Sequence, residues 1–276
     1  MLLALGMTLV IATGGIDLSV GAVMAITGTT AALLATNGFP VPVVIVLSLG
    51  TALLAGLWNG GLVGFLQVPA IVATLVLMVS GRGIAQLLTN GQKVRFENPV
   101  LEFIGRGAFL GLPFTVTLVV VVLLLVLCLQ RWTAAGLFIE STGDNEIASR
   151  YSGVNTRLVK LLVYCFCGLC AGVGGLVVTG NVMEADASNA GLGLELDAIL
   201  AVVIGGTSLQ GGRLYAAGSL TGAILIQALT TTILTRGVPV EYTFGLKAMV
   251  IIGVCLLQSE EFRKALWSRR KDRHAL

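Results

Sequence analysis

Residues 140–160 read ESTGDNEIASRYSGVNTRLVK, the longest polar stretch with helical character in the chain. On either side the sequence runs as one apolar span after another. Ser141, Asp144 and Asn145 are good helix N-cap residues, and Glu146 stands four residues before Arg150, the favourable order for a helical ion pair. Ile147, Tyr151 and Val154 fall on one helical face. The pattern predicts a short amphipathic helix that ends at Gly153. Such a helix is either simply solvated or docked on a partner. Docking is the sharper reading, because the apolar stripe needs a place to go and the loop is too short to build a core.

Composition sets the class in which that helix sits. Hydrophobic residues make up 56% and charged residues 11%, against roughly 25% charged in a soluble domain. With a mean hydropathy of +0.95, the chain reads as an all-α polytopic membrane protein with about 8–9 transmembrane or half-membrane helices. Its 36 glycines are spread through the apolar segments, which suits helices packed closely in lipid. Cys128, Cys165, Cys167, Cys170 and Cys255 lie in or beside apolar runs. No further Cys or His completes a tetrahedral set around Cys165, Cys167 and Cys170, so they read as packing residues, with no disulfide framework, no metal site and no cofactor. No removable signal peptide is expected.

The first apolar run, residues 1–12, covers only about 18 Å of a roughly 30 Å bilayer core. Gly14, Gly15 and Asp17 follow, and then a second apolar stretch to about Thr36. An acid between two apolar half-segments fits the broken helices that line cavities in transporters. It fits equally well as the N-cap of the next helix, and the two readings are compatible. Val43–Leu66 is the next span, with Gly56, Gly60 and Gly64 on one face as a packing seam and Asn59 placed to hydrogen-bond across the bundle. Pro69 opens a span to about Leu88, in which Arg82 must snorkel, pair or face water. Residues 89–112 read as a long polar connection, and Phe114–Gln130 as a span. Residues 161–180 span again, with Gly168 and Gly172 spaced for packing. Residues 181–197 hold Glu184, Asp186, Glu195 and Asp197 and no base. Residues 198–206 read as a half-helix that ends in GGTSLQGGR. Tyr215–Thr235 and Thr243–Leu257, the latter with Lys247, are the last spans.

Placing the 259–276 tail in the cytoplasm puts eleven Lys and Arg inside and four outside, with Arg82 and Lys247 within spans. The positive-inside rule favours this orientation. The tail carries the formal excess of +3, which points to anionic inner-leaflet lipid, with Trp267 near the interface. Nothing points to nucleic acid.

The runs GMTLVIATGGIDLSVGAVMA (6–25), GDNEIASRYSGVNTRLVK (143–160) and GLELDAILAVVIGGTSLQGG (193–212) resemble the permease subunits of bacterial sugar ABC importers of the ribose, xylose and galactose class. Within that class the chain looks most like the hexose branch that includes galactofuranose permeases. The resemblance extends over about residues 2–258. It implies a multi-pass protein of the bacterial inner membrane, a second permease subunit, a separate ATPase pair and a periplasmic sugar-binding protein. Residues 1–258 would form the permease domain, with 131–160 as its cytoplasmic coupling loop and 259–276 as a basic tail. The segment NEIASRYSG (145–153) matches the family's coupling helix, which seats in the ATPase. Asp144, Asn145, Glu146, Ile147, Arg150, Tyr151 and Gly153 are therefore expected at that contact, although Ile147 stands where the family usually has alanine. Asp17, Ser19, Asn59, Asn181 and Gln227 are candidates for the sugar path, which calls for groups that match hydroxyls. The family usually carries a cytoplasmic segment and one complete helix ahead of the position matched by Met1. This chain is thus expected to begin inside the family's second helix, through a late start or a truncation that would compromise transport.

Other function classes fare worse. No phosphate-binding G-x-x-x-x-G-K-[ST] loop is present, so ATP would be hydrolysed by another chain. The sole histidine, His274, lies in the tail, which leaves an intramembrane hydrolase no Ser-His pair or zinc site. An Asp17–Asp197 pair would be its last resource, and neither residue sits in a long uninterrupted span. An ion-coupled secondary transporter is the stronger rival, with Asp17, Glu195 and Asp197 as its ionisable groups. The amphipathic loop helix discriminates, because an ion-coupled carrier needs no cytoplasmic docking surface.

Overall fold

The computed structural model describes residues 1–109 and 111–237 and, beyond them, only Gly245, Ala248, Met249 and Gly253. The rest of the span expected at Thr243–Leu257, with Lys247 and Cys255, and the basic tail with Trp267 and His274 lie outside the described residues.

The described chain is an all-α bundle. Its elements in order are α1 (Leu2–Ala12), α2 (Val20–Thr36), α3 (Val41–Gly64), α4 (Ala70–Leu88), β1 (Val94–Arg95), α5 (Pro99–Arg106), β2 (Ala108–Phe109) and β3 (Leu112–Pro113). There follow α6 (Phe114–Trp132), α7 (Ala134–Asp144), α8 (Glu146–Tyr151), α9 (Thr156–Val182), β4 (Glu184–Ala185), α10 (Leu194–Ile204) and α11 (Ala216–Thr235). The strands form two short antiparallel pairs, β1 with β4 and β2 with β3. Helices α3, α4, α6, α9 and α11 are long and apolar enough to cross a membrane. At about 16 Å and 25 Å, α1 and α2 are not.

Helix α9 serves as a ruler for the bundle. Running antiparallel to it, α3 sets Gly64 against the Arg157 backbone, Gly60 against Leu161, Gly56 against Tyr164 and Cys165, and Ala52 against Gly168. A methyl at Gly60 would lie 2.8 Å from the Leu161 Cα. In lipid no hydrophobic force drives helices together, so such close backbone contact supplies the dispersion that does. Further along α9, Gly6 of α1 meets Cys167 and Cys170, Met24 of α2 meets Gly175, and Gly28 meets Thr179. Four residues before Met24, Val20 falls level with Ala171, so α2 begins about 22 Å up α9, deep in the bundle. Every residue of α1 is buried, down to Ala12, whose carbonyl accepts from Gly212 N at 3.0 Å. The chain then turns at Thr13–Gly15 and climbs back to Asp17. The short first run is thus one arm of a helical hairpin, with α1 descending α9 and α2 ascending it, and not half of a single broken helix as its length and glycines suggest.

Several expectations need correction. The 89–112 connection contains α5, which caps on Asn98 and starts at Pro99, a Pro-at-N1 signal. Leu101 and Gly105 of α5 pack on Gly180 and Asn181. The half-helix expected at 198–206 begins four residues earlier, so Glu195 and Asp197 occupy the first turn of α10, where acids suit the helix dipole. The polar stretch 140–160 spans three helices. Ser141 lies inside α7 and Asp144 ends it, so Asn145 alone of the three cap candidates caps α8. Helix α9 starts at Thr156, within that stretch.

Candidate functional site

The break between α1 and α2 carries a buried polar cluster. Asp17 stands two residues ahead of Ser19, which occupies the N-cap position of α2. Asp17 Oδ1 accepts from Ser19 N at 2.9 Å and from Ser19 Oγ at 2.6 Å, closing the turn that leads into the helix. From α3, Asn59 Nδ2 donates to Ser19 Oγ at 2.9 Å and lies 3.4 Å from Asp17 Oδ1. All three residues are at most 2% exposed. Donors from Ser19 and Asn59 thus converge on the buried carboxyl at the start of α2 and satisfy one of its oxygens. Beneath the cluster the Tyr164 hydroxyl donates to the Ile16 carbonyl at 3.4 Å. A methyl at Gly15 would fall 2.5 Å from that hydroxyl.

The structure thus brings Asp17, Ser19 and Asn59 together and leaves the other two sugar-path candidates apart. Asn181 sits at the far end of α9 and accepts from Arg106 Nε at 3.4 Å. Gln227 on α11 bonds Thr231 and lines a small cavity beside Met1 and Asp197.

The second cluster anchors α8. Asn145 Oδ1 accepts from Ala148 N at 2.9 Å, and the chain leaves the helix through Gly153 at φ +88°. Glu146 Oε1 accepts from Arg150 Nη2 at 2.6 Å and from Thr156 Oγ1 at 3.2 Å, while Oε2 accepts from Lys160 Nζ at 2.7 Å. Partial burial pushes the Glu146 carboxyl up, but the hydrogen bonds and charges of Lys160 and then Arg150 outweigh it and hold the group below its ordinary range. With its polar side turned to α9, α8 presents Ile147 at 69% and Tyr151 at 90% exposure to the outside. Helix α7 backs this platform. Glu140 Oε1 accepts from Leu214 N at 3.0 Å, Gly143 rests on the Ala12 carbonyl, and Ser149 Oγ donates to Ser141 O at 2.7 Å. Between the two clusters lies a cavity of about 410 Å³, lined by Gly14, Gly15, Gln67, Glu146, Lys160 and Tyr164 among others.

At the opposite end of the bundle the acids of 181–197 find bases from another loop. Glu184 pairs with Arg95 at 2.8 Å and Lys93 at 3.2 Å, and Asp186 pairs with Lys93 at 3.3 Å. The hydrogen bond from Arg95, then that from Lys93, lowers the Glu184 carboxyl. Arg82 of α4 donates to the carbonyls of Ala187 and Ala190, so its charge holds the segment that leads into α10. Lys160, Thr156 and Tyr164 were not singled out from the sequence. Their four-residue spacing was a usable signal, lost where the polar stretch was divided from the span that follows.

The family described as "Branched-chain amino acid transport system / permease component" matches residues 1–255. The galactofuranose transporter permease protein of Escherichia coli is 54% identical over 95% of this chain and 76% of its own length. The fructose import permease protein of Bifidobacterium longum is 40% identical over 99% of this chain and 78% of its own. The ribose import permease protein of Escherichia coli is 39% identical over 94% and 82%. No solved structure matches the chain. A match along nearly the whole sequence, on a bundle of apolar helices broken at a buried acid, leaves one assignment: the chain belongs to this transport-system permease family, as a non-catalytic, multi-pass inner-membrane subunit whose ATPase and substrate-binding partners are separate chains.

Proposed function

We propose that the chain forms the membrane path of an ATP-driven monosaccharide importer and receives the ATPase stroke through α8. The sugar class follows its relatives, with the galactofuranose type favoured by 54% identity. One observation carries the docking reading. Glu146 ties α8 to Lys160 of α9 at 2.7 Å, while Ile147 and Tyr151 on the same helix stay exposed. A helix pinned on its polar side and bare on its apolar side has the form of an anchor for a partner's groove.

In this reading the end that carries α7, α8 and the 205–215 loop faces the cytoplasm, as does the C-terminal tail, which meets anionic lipid. The end with β1, α5 and β4 receives the sugar-binding protein. A second permease subunit, identical or different, completes the path. Asp17, Ser19 and Asn59 are its intramembrane polar step, and Asn59 Oδ1, buried and without a hydrogen-bond partner among the described residues, would meet a sugar hydroxyl only when the contact between α2 and α3 opens. Asn181 and Gln227 would contribute nearer the outer end and on α11.

Copurification of the ATPase with the permease tests the docking reading. Tyr151→Glu should weaken the complex by about thirtyfold, the scale of an aromatic anchor lost from an interface centre. Unchanged copurification of both Tyr151→Glu and Ile147→Glu would sink it.

A further inference from the structure

Thr156, Lys160, Tyr164 and Cys167 follow one another along α9 at intervals of four, four and three residues, which places them on a single face of the helix. The lower members hold α8, since Glu146 accepts from both Thr156 and Lys160. The upper members hold the break between α1 and α2. The Tyr164 hydroxyl bonds the Ile16 carbonyl, and Cys167 stands beside the Asp17 carboxyl. The stripe rises about 16 Å from the membrane end to the centre of the bundle.

We propose that this stripe is the connection by which movement of α8 reaches the intramembrane break, with Tyr164 as the positioning residue at its upper end. Tyr164 has no slack. Its side chain is fully buried, and its hydroxyl lies against Gly15 so closely that a methyl there would come within 2.5 Å of it. A shift of α9 relative to α1 must therefore displace the Thr13–Asp17 turn or break the contact, because packed interiors transmit strain and do not absorb it. The cavity between α8 and the break is the space into which that turn can move, and Glu146, Lys160 and Tyr164 all border it.

The inference rests on α8 as the docking surface, and the experiment separates the two. Thr13 lines the cavity. Thr13→Cys, with the exposed Cys128 and also Cys255 replaced by Ser, is labelled with a water-soluble maleimide in the importer reconstituted with its ATPase, with and without ATP plus vanadate. Nucleotide trapping should change the labelling rate at least about fivefold, the lower range of site-to-site coupling. Tyr164→Phe should reduce that change to within about twofold while vanadate trapping persists, a split that simple destabilisation does not produce. Should Tyr164→Phe fail to reach the membrane, Cys167→Ala carries the same test. A full nucleotide response in Tyr164→Phe, or none in the parent, overturns the stripe. If Glu146→Arg abolishes the response and Tyr164→Phe leaves it intact, docking stands and the stripe falls. If neither variant alters it, the docking reading falls as well.

Discussion

The Glu146 carboxylate of α8 closes on the Lys160 ammonium of α9 at 2.7 Å, joining a surface helix to the longest helix of the bundle. Lys160 is 17% and Glu146 32% exposed at the side chain, so the pair is half-wet. Pairs of that kind contribute about 1 kcal/mol or less to stability. The pair matters for where it holds α8 more than for how strongly it stabilises the fold.

That distinction gives a pH signature. The folded Glu146 carboxyl lies below its ordinary 4.5. Its contribution is therefore complete above about pH 4.5 and is lost as pH falls through the lower folded value. Wild type should melt slightly above Glu146→Gln at pH 7, by no more than about 1 kcal/mol. The two should converge once the pH has fallen below that lower folded value. A difference that grows towards acid pH would contradict the assignment.

The α3–α9 seam should tolerate no side chain. At Gly60 a methyl would meet the Leu161 Cα at 2.8 Å and its carbonyl oxygen at 2.9 Å, and backbone cannot swing aside. Gly60→Ala is expected to cost about 1–3 kcal/mol, as overpacking does. The half-buried Gly61, with open space where a Cβ would stand, should accept alanine at little cost. Thermal unfolding of the two variants in detergent makes the comparison, and equal losses would contradict the seam.

At the break the obstacle is a side-chain atom, and removing that atom should restore the fit. Gly15→Ala should destabilise the protein because its methyl meets the Tyr164 hydroxyl at 2.5 Å, whereas the ring carbon behind it is 3.4 Å away. In a Tyr164→Phe background the same substitution should recover most of the lost melting temperature. Additive losses in the double variant would show that the contact is absent.

Asp17 should be harder to replace than its position in a loop suggests. Asp17→Ala removes the acceptor for Ser19 N and Ser19 Oγ, leaving buried donors unsatisfied at about 1–3 kcal/mol. Ser19→Ala in the same background should then cost less than it does alone, because one stranded donor disappears. A double-mutant cycle on melting temperature reads the coupling, and strict additivity would contradict the cluster.

Much of this was legible in the sequence, and unevenly so. Gly56, Gly60 and Gly64, with Gly168 and Gly172, announce the seam because the four-residue period survives any error in helix ends. The break at Gly14, Gly15 and Asp17 was legible because the first run is too short to span. The Asn145 cap and the Glu146–Arg150 pair could be read because they are local. What escaped depends on distant partners. Asp17 reads equally as an N-cap or as an acid lining a cavity, and in the fold it braces the cap residue Ser19 together with Asn59 from α3. Helix α5 carried a local start signal in Asn98 and Pro99, but eight residues in a polar stretch read as a loop until Leu101 and Gly105 are seen packed on α9. Lys160 and Tyr164 look like the edge and interior of an ordinary span until α8 and Gly15 are placed beside them.

Uptake into proteoliposomes is the most direct test of ATP-driven import coupled through α8. With the permease, its ATPase, its binding protein and ATP, a labelled monosaccharide that the binding protein captures should accumulate. Glu146→Arg with Arg150 intact should cut uptake by about tenfold or more, the scale of an interfacial charge left facing a like charge, while hydrolysis continues. Uptake that runs on a proton or sodium gradient without the ATPase, or is unchanged in Glu146→Arg, would contradict the account.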